Sequence, residues 1–118
     1  MEKHAKVGWV SYPGLAGNRY NELARKYCPK GASGVFTFGV KGGYDAGIAL
    51  VRNLKLFSHL ANIGDTRSLV IHPASTTHRQ LTDAQKTAAG AGPDVVRLSI
   101  GIEDVADLIG DLDEALAE

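Results

Sequence analysis

The sequence is poor in cysteine, in unbalanced charge and in long apolar runs, and each shortage excludes a class of protein. The single cysteine, Cys28, excludes a framework of internal disulfides and fits a reducing compartment. Thirteen basic and thirteen acidic side chains cancel, so the basic surface of a nucleic-acid or anionic-membrane binder is missing. No apolar run approaches the roughly 20 residues of a membrane helix. We therefore expect a cytoplasmic protein that binds neither nucleic acid nor membrane.

Motifs for metal and nucleotide sites are missing too. The four histidines show no helical i, i+4 pair and Cys28 has no CxxC partner, so we expect no metal site. The segment 34–41 falls short of a phosphate loop, because Val40 stands where that pattern requires lysine. We expect His59, His72 and His78 to cap turns or to be half-buried, with His72 lining a site beside the loop that follows it.

Hydrophobic periodicity predicts one domain of strands and helices. A chain of 118 residues can bury about two-thirds of its unfolded surface, which is enough for one core. Alternation and helical spacing predict strands over 7–12, 34–40, 56–63, 68–72 and from 95 onward, with helices over 18–28, 44–54, 82–89 and 105–116. This order indicates an α/β sandwich. Because only a short turn joins 56–63 to 68–72, we expect those two strands to be antiparallel.

Two of the helices carry more specific expectations. In the first, we expect a buried stripe formed by Tyr20, Leu23, Ala24 and Tyr27. In the last, the helical spacing predicts an apolar face formed by Val105, Leu108, Ile109, Leu112 and Leu116. Thr82 and Gln85 form a capping-box pattern at the start of the third helix.

The strand near the end of the chain carries the most informative side chain. At a period of two, Val96, Leu98 and Ile100 share one face, while Arg97 and Ser99 share the other. A guanidinium keeps its charge and presents a planar fork that matches a carboxylate or a phosphate. Two interpretations stay open on these residues alone: an anion-binding arginine, or a surface arginine paired with a nearby acid.

Six segments, taken together and in order, resemble one family. They are WVSYPGL (9–15), GVFTFG (34–39), NLKLF (53–57), GDTRSL (64–69), HPASTTH (72–78) and RLSIGIE (97–103). The chain resembles the C-terminal part of the pyridoxal-phosphate-dependent enzymes of cysteine and methionine metabolism, most closely the O-acetylhomoserine sulfhydrylase branch.

This resemblance implies a fold and a set of substrate-binding residues. Residues 1–118 would form the single small C-terminal domain of a fold-type I enzyme, a mainly antiparallel sheet covered by helices. Arg97 would hold the α-carboxylate of the amino-acid substrate, assisted by the main chain at Ser68. Thr76 and Thr77 would lie in a loop near the mouth of the active site.

The resemblance also implies that catalytic and cofactor-binding residues lie elsewhere. In the family, the Schiff-base lysine and the other cofactor contacts belong to a large domain and to neighbouring subunits of a homo-oligomer. Lys41, Lys55 and Lys86 lack the surroundings of that lysine, so we expect this chain alone to be inactive and to bind no pyridoxal phosphate.

The function implied for the parent enzyme is replacement of the acetoxy group of O-acetyl-L-homoserine by sulfide or a thiol, giving homocysteine or a related amino acid in methionine biosynthesis. The same domain could belong to a cystathionine γ-synthase or a methionine γ-lyase. Two other functions stay open: a noncatalytic domain that pairs with a separate large-domain subunit, and an autonomous binder of amino-acid carboxylates.

Overall fold

The computed structural model describes residues 1–117, whose strands form one five-stranded sheet. The strands are β1 (Val7–Ser11), β2 (Val35–Val40), β3 (Ser58–His59), β4 (Leu69–Ile71) and β5 (Val95–Ser99). The helices are α1 (Asn21–Tyr27), α2 (Gly43–Asn53), α3 (Asp83–Ala88) and α4 (Val105–Ala117), with a 3₁₀ turn at Pro73–Ser75. The strand order is β1-β2-β5-β4-β3, and every pairing except β4 with β3 is antiparallel. The predicted α/β class with a mainly antiparallel sheet is confirmed.

One face of the sheet forms the hydrophobic core with α2 and α4. Val96 and Leu98 of β5 and Phe38 of β2 are fully buried there, packed with residues such as Leu50 of α2 and Leu112 of α4. Each such side chain contributes about 1.5–3 kcal/mol through burial. The alternation predicted for β5 is therefore confirmed, and its other face is turned away from both helices.

The predicted antiparallel pair between 56–63 and 68–72 is wrong. The first strand is only two residues long, and it runs parallel to β4, with Ser58 opposite Leu69. The segment between them does not turn back along β3, because its amides bond elsewhere: Gly64 donates to the Ser99 hydroxyl, and Ser68 donates to Glu103. The chain thus passes across the end of β5 before it enters β4.

The predicted buried stripe of α1 is also wrong. Tyr20, Leu23 and Tyr27 are exposed by 49%, 52% and 70% of their surface. The buried residue of this helix is Asn21, whose side-chain amide donates to the Pro13 carbonyl. Helical spacing correctly groups these residues on one face, but within residues 1–117 the side chains of Arg19 and Lys26 lie over the two tyrosine rings without burying that face.

The predictions for α3 and for most of the apolar face of α4 are confirmed. At α3, the Thr82 hydroxyl accepts from the Gln85 N–H, and the Gln85 side chain accepts from the Thr82 N–H, so the capping box is confirmed. In α4, Leu108, Leu112 and Leu116 are buried as predicted. The flanking residues of the same predicted face, Val105 and Ile109, are exposed. Within residues 1–117, no helix is both long and apolar enough to cross a bilayer.

Two glycines within helices are expected to respond oppositely to alanine. A Cβ on Gly47 of α2 would lie 2.6 Å from the His72 ring, whereas a Cβ on Gly110 of α4 would meet nothing within 4 Å. Gly110→Ala should raise the free energy of unfolding by about 0.5–1 kcal/mol through helix propensity. Gly47→Ala should lower it, because α2 must move away from the sheet. Urea unfolding of both variants tests this, and stabilisation by Gly47→Ala would contradict the close packing at His72.

Candidate anion-binding site

Arg97 lies in the middle of the central strand, on the sheet face opposite α2 and α4. It stands opposite Thr37 of β2 on one side and Ile71 of β4 on the other. Its neighbours in sequence, Val96 and Leu98, are fully buried on the helix face, and their packing fixes the strand that carries the arginine. The side chain itself is half-buried, so a rigid scaffold presents a guanidinium that remains accessible to a ligand.

The guanidinium is not neutralised by an acid of the described chain. Its Nη2 donates to the main-chain carbonyl of Asn62 at 3.4 Å, a long hydrogen bond. None of the ion pairs within residues 1–117 involves Arg97. The acidic partner that a structural surface arginine would have is thus not provided by this part of the chain. Most of the donors of the fork are available for a carboxylate or a phosphate.

A loop of residues 60–67 passes across the end of β5 close to this arginine. The Gly64 N–H donates to the Ser99 hydroxyl at 3.3 Å, and the Ile102 N–H donates to the Thr66 carbonyl at 2.9 Å. Ser99 shares the face of Arg97, as its position in the strand predicts. The Asn62 carbonyl that contacts the guanidinium belongs to the same loop. This loop therefore forms one wall of the candidate site.

Ser68 closes this loop and is fully buried. Its N–H donates to Glu103 Oε1 at 2.6 Å and its hydroxyl donates to Glu103 Oε2 at 2.7 Å. These two hydrogen bonds, the main-chain bond first, hold the pKa of Glu103 below its ordinary value. The carboxylate is consequently ionised at neutral pH. Because the Ser68 N–H is already engaged within the domain, its contribution to a bound carboxylate stays a prediction.

The 3₁₀ turn after β4 positions the predicted hydroxyl residues. The Thr76 hydroxyl donates to the His72 carbonyl at 2.8 Å, and the exposed Thr77 hydroxyl lies 2.8 Å from His78 Nδ1. His72 is more buried than expected: its Nε2 lies 2.8 Å from the Pro93 carbonyl oxygen and its Nδ1 lies 2.9 Å from the Ser75 hydroxyl. This histidine therefore anchors the turn to the segment that leads into β5.

The predicted site residues are distributed around the strand that lies beside Arg97. Ser68 precedes β4, while Thr76 and Thr77 follow it, with Ile71 paired to Arg97 between them. Within residues 1–117, no hydrogen bond joins Arg97 to any of these three residues. Their role in binding stays a prediction.

Sequence reasoning missed two residues that shape the site. Glu103 lies in the same motif as Arg97, but its contact with Ser68 joins positions 35 residues apart. Asn62 contributes only a main-chain carbonyl, for which no side-chain pattern exists. The one available signal was the position of Glu103 just beyond a strand that carries an accessible cation.

The surroundings of Lys86 and Lys41 do not match a pyridoxal phosphate site. That cofactor needs a lysine amine, an acid for its ring nitrogen and donors for its phosphate. Lys86 shares a cavity with Tyr44 and Thr87, but its ammonium faces Asp83 at 3.8 Å, and the cavity lining contains no further cation for a phosphate. Lys41 donates to the Ala5 carbonyl at 2.8 Å. Residues 1–117 also contain no cluster of three or more histidines, cysteines or acids that could hold a metal.

Comparisons with known proteins identify relatives along the whole described chain. A family model described as Cys/Met metabolism PLP-dependent enzyme matches residues 1–117. O-acetyl-L-homoserine sulfhydrylase 1 of Thermus thermophilus is 53% identical over 112 residues, which cover 95% of this chain and 27% of that protein. Homocysteine synthase of Schizosaccharomyces pombe is 50% identical over 116 residues, which cover 98% of this chain and 27% of that protein.

A solved structure shares the fold. It is a putative O-acetylhomoserine (thiol)-lyase from Campylobacter jejuni that contains a pyridoxyl-lysine phosphate group. It superposes with a TM-score of 0.91 and 42% sequence identity, over 99% of this chain and 28% of that one. The chain thus spans about a quarter of the length of the relatives that it matches.

Proposed function

The chain belongs to the pyridoxal-phosphate-dependent enzymes of cysteine and methionine metabolism, and from that premise we propose that it is the small, substrate-carboxylate-binding domain of an O-acetylhomoserine sulfhydrylase. In this proposal the parent enzyme converts O-acetyl-L-homoserine and sulfide or a thiol into homocysteine or a related amino acid. Acetate leaves the γ-carbon of the substrate and sulfur takes its place. The names of the two relatives reported above support this choice of reaction.

The accessible guanidinium of Arg97 is the observation that carries the proposal. An arginine in the middle of a central strand, without an acid of residues 1–117 as partner, is suited to an anionic ligand. Every amino-acid substrate of such an enzyme carries an α-carboxylate, which the fork can bind through two hydrogen bonds. Binding at this end fixes the substrate while its γ-carbon reacts elsewhere.

Further residues of this chain complete the proposed site. We place Ser68, Thr76 and Thr77 around the carboxylate because they flank the strand that pairs with Arg97. The cofactor, held by the large domain in this proposal, supplies the electron sink for breaking and forming the bonds at the γ-carbon. This chain supplies substrate orientation and no catalytic group. It is therefore inactive without its large domain.

The exposed face of α1 supports a partner for the domain. Tyr20, Leu23 and Tyr27 present apolar surface that stays exposed within residues 1–117, although Arg19 and Lys26 lie over the two tyrosine rings. We propose that the large domain or a sister subunit of a homo-oligomer completes the protein. The alternative of a noncatalytic domain that pairs with a separate large-domain subunit uses the same surface. It differs in predicting that activity does not depend on Arg97.

The reaction can be tested in the complete enzyme, in which this domain is joined to its cofactor domain. With sulfide as second substrate, kcat/KM should be highest for O-acetylhomoserine, with homocysteine as the product measured. O-succinylhomoserine with cysteine and methionine alone serve as comparison substrates for a cystathionine γ-synthase and a methionine γ-lyase. Faster turnover of either comparison substrate would assign the domain to that enzyme instead.

A further inference from the structure

We propose that Glu103 is a positioning residue for Arg97: its carboxylate fixes the loop of residues 60–67, and the Asn62 carbonyl of that loop holds the guanidinium in place. The inference rests on the proposed function, because it assigns Glu103 a role in binding the substrate carboxylate without contacting it. The connection runs through hydrogen bonds between side chains and main-chain groups of Ser68 and the loop, each of which the structure provides.

The first step is the bidentate contact of Glu103 with Ser68. One carboxylate oxygen accepts the Ser68 N–H at 2.6 Å, and the other accepts its hydroxyl at 2.7 Å. The same hydroxyl oxygen accepts the Gly101 N–H at 2.9 Å. Ser68 is fully buried, so water cannot easily replace these partners. A single side chain thereby ties the end of the loop to the segment that follows β5.

The second step is the close fit between the loop and the segment 99–103. The Ile102 N–H donates to the Thr66 carbonyl, and the Gly64 N–H donates to the Ser99 hydroxyl. A Cβ on Gly101 would lie 2.6 Å from the Arg67 carbonyl carbon, so the two backbones approach too closely for any side chain. The loop therefore follows the position of this segment closely.

The third step connects the loop to the guanidinium. The Asn62 carbonyl accepts a hydrogen bond from Arg97 at 3.4 Å, and no acid of residues 1–117 provides a second anchor. Long side chains without anchors sample several rotamers, and a small misplacement of a binding group weakens orientation strongly. Release of the loop at Ser68 would thus allow the guanidinium to move away from the substrate carboxylate.

The test uses Glu103→Gln in the complete enzyme. The substituted amide keeps the size of the side chain but loses the charge and one acceptor, so the loop should loosen. We expect KM for the amino-acid substrate to rise about five- to tenfold, with kcat changed less than about threefold and KM for sulfide unchanged.

Asp111→Asn is the matched control. Asp111 is also a carboxylate that accepts main-chain N–H groups, those of Lys55 and Leu56, at the junction between α4 and the end of α2. Neither of these partners belongs to the loop of residues 60–67. Asp111→Asn should lower the thermal midpoint and leave both KM values unchanged. If it raised KM for the amino acid as much as Glu103→Gln, the effect would be general destabilisation and the inference would fall.

A double-mutant cycle with Arg97→Lys separates the inference from the proposed function. If Glu103 acts through Arg97, Glu103→Gln should change KM less than about twofold in the Arg97→Lys background. If Arg97→Lys alone leaves KM unchanged, the proposed function fails. If Arg97→Lys raises KM while Glu103→Gln has no effect, the proposed function stands and the positioning role of Glu103 is wrong. The same conclusion follows if the two substitutions raise KM by independent factors that multiply in the double variant.

Discussion

Replacing Arg97 with alanine is expected to lower kcat/KM of the complete enzyme for O-acetylhomoserine about tenfold or more. Hydrogen bonds to a charged partner contribute roughly 1.5–3 kcal/mol, and each 1.4 kcal/mol corresponds to about a tenfold change. Arg97 has the donors to make two such bonds, because only the Asn62 carbonyl occupies it within residues 1–117. The loss should appear mainly as a higher KM for the amino acid, with KM for sulfide unchanged.

Two further variants test whether the planar guanidinium at position 97 is what the substrate requires. Arg97→Lys keeps the charge but not the planar fork, so its loss should be intermediate. Lys6→Ala removes an exposed cation whose ammonium donates to the Ala117 carbonyl at the end of α4, a helix on the sheet face opposite Arg97, and should leave kcat/KM unchanged. Equal turnover efficiency in wild type and Arg97→Ala would remove Arg97 from the substrate site.

The largest expected loss of stability comes from His72→Ala. His72 is only 1% exposed, has hydrogen-bond partners at both ring nitrogens and packs edge-on against Tyr44 at 5.1 Å between ring centres. Its removal leaves a cavity beneath Gly47 and leaves the Pro93 carbonyl without its partner. We expect the free energy of unfolding to fall by about 3 kcal/mol, from the cavity and the lost hydrogen bonds together.

Denaturant unfolding of matched histidine variants measures this loss. His72→Phe refills the volume without the hydrogen bonds, so it should recover part of the stability. His59→Ala removes an exposed histidine from β3 and should change the unfolding free energy by less than about 0.5 kcal/mol. Similar small changes at both positions would show that the buried ring does not anchor the turn after β4.

The features that could be predicted from the sequence are those that local physics determines. The orientation of Arg97 follows from a period of two in a strand whose other face is apolar, and the cap of α3 follows from two residues in one turn. The mainly antiparallel sheet was implied by a family resemblance. The predictions for Arg97 and α3 needed no knowledge of tertiary contacts, whereas the prediction of the sheet rested on the resemblance.

The features that were missed depend on contacts between distant residues. The parallel pairing of β3 results from main-chain amides that bond to Ser99 and Glu103, more than 30 positions along the chain. The exposure of Tyr27 on α1 likewise could not be read from spacing, since a periodic apolar face indicates a partner without showing which one. Glu103 was missed because its contact with Ser68 joins residues 35 positions apart in the sequence.

The shortness of β3 has a consequence for self-association. Edge strands of a sheet expose unpaired main-chain groups, to which another molecule can add a strand of its own. Here one edge strand, β3, has only two residues, Ser58 and His59. The other edge strand is β1, whose pairing register with β2 shifts between Val7 and Trp9. Neither edge strand presents a long, regular row of unpaired main-chain groups, so fibril-like stacking of copies through their strands is disfavoured.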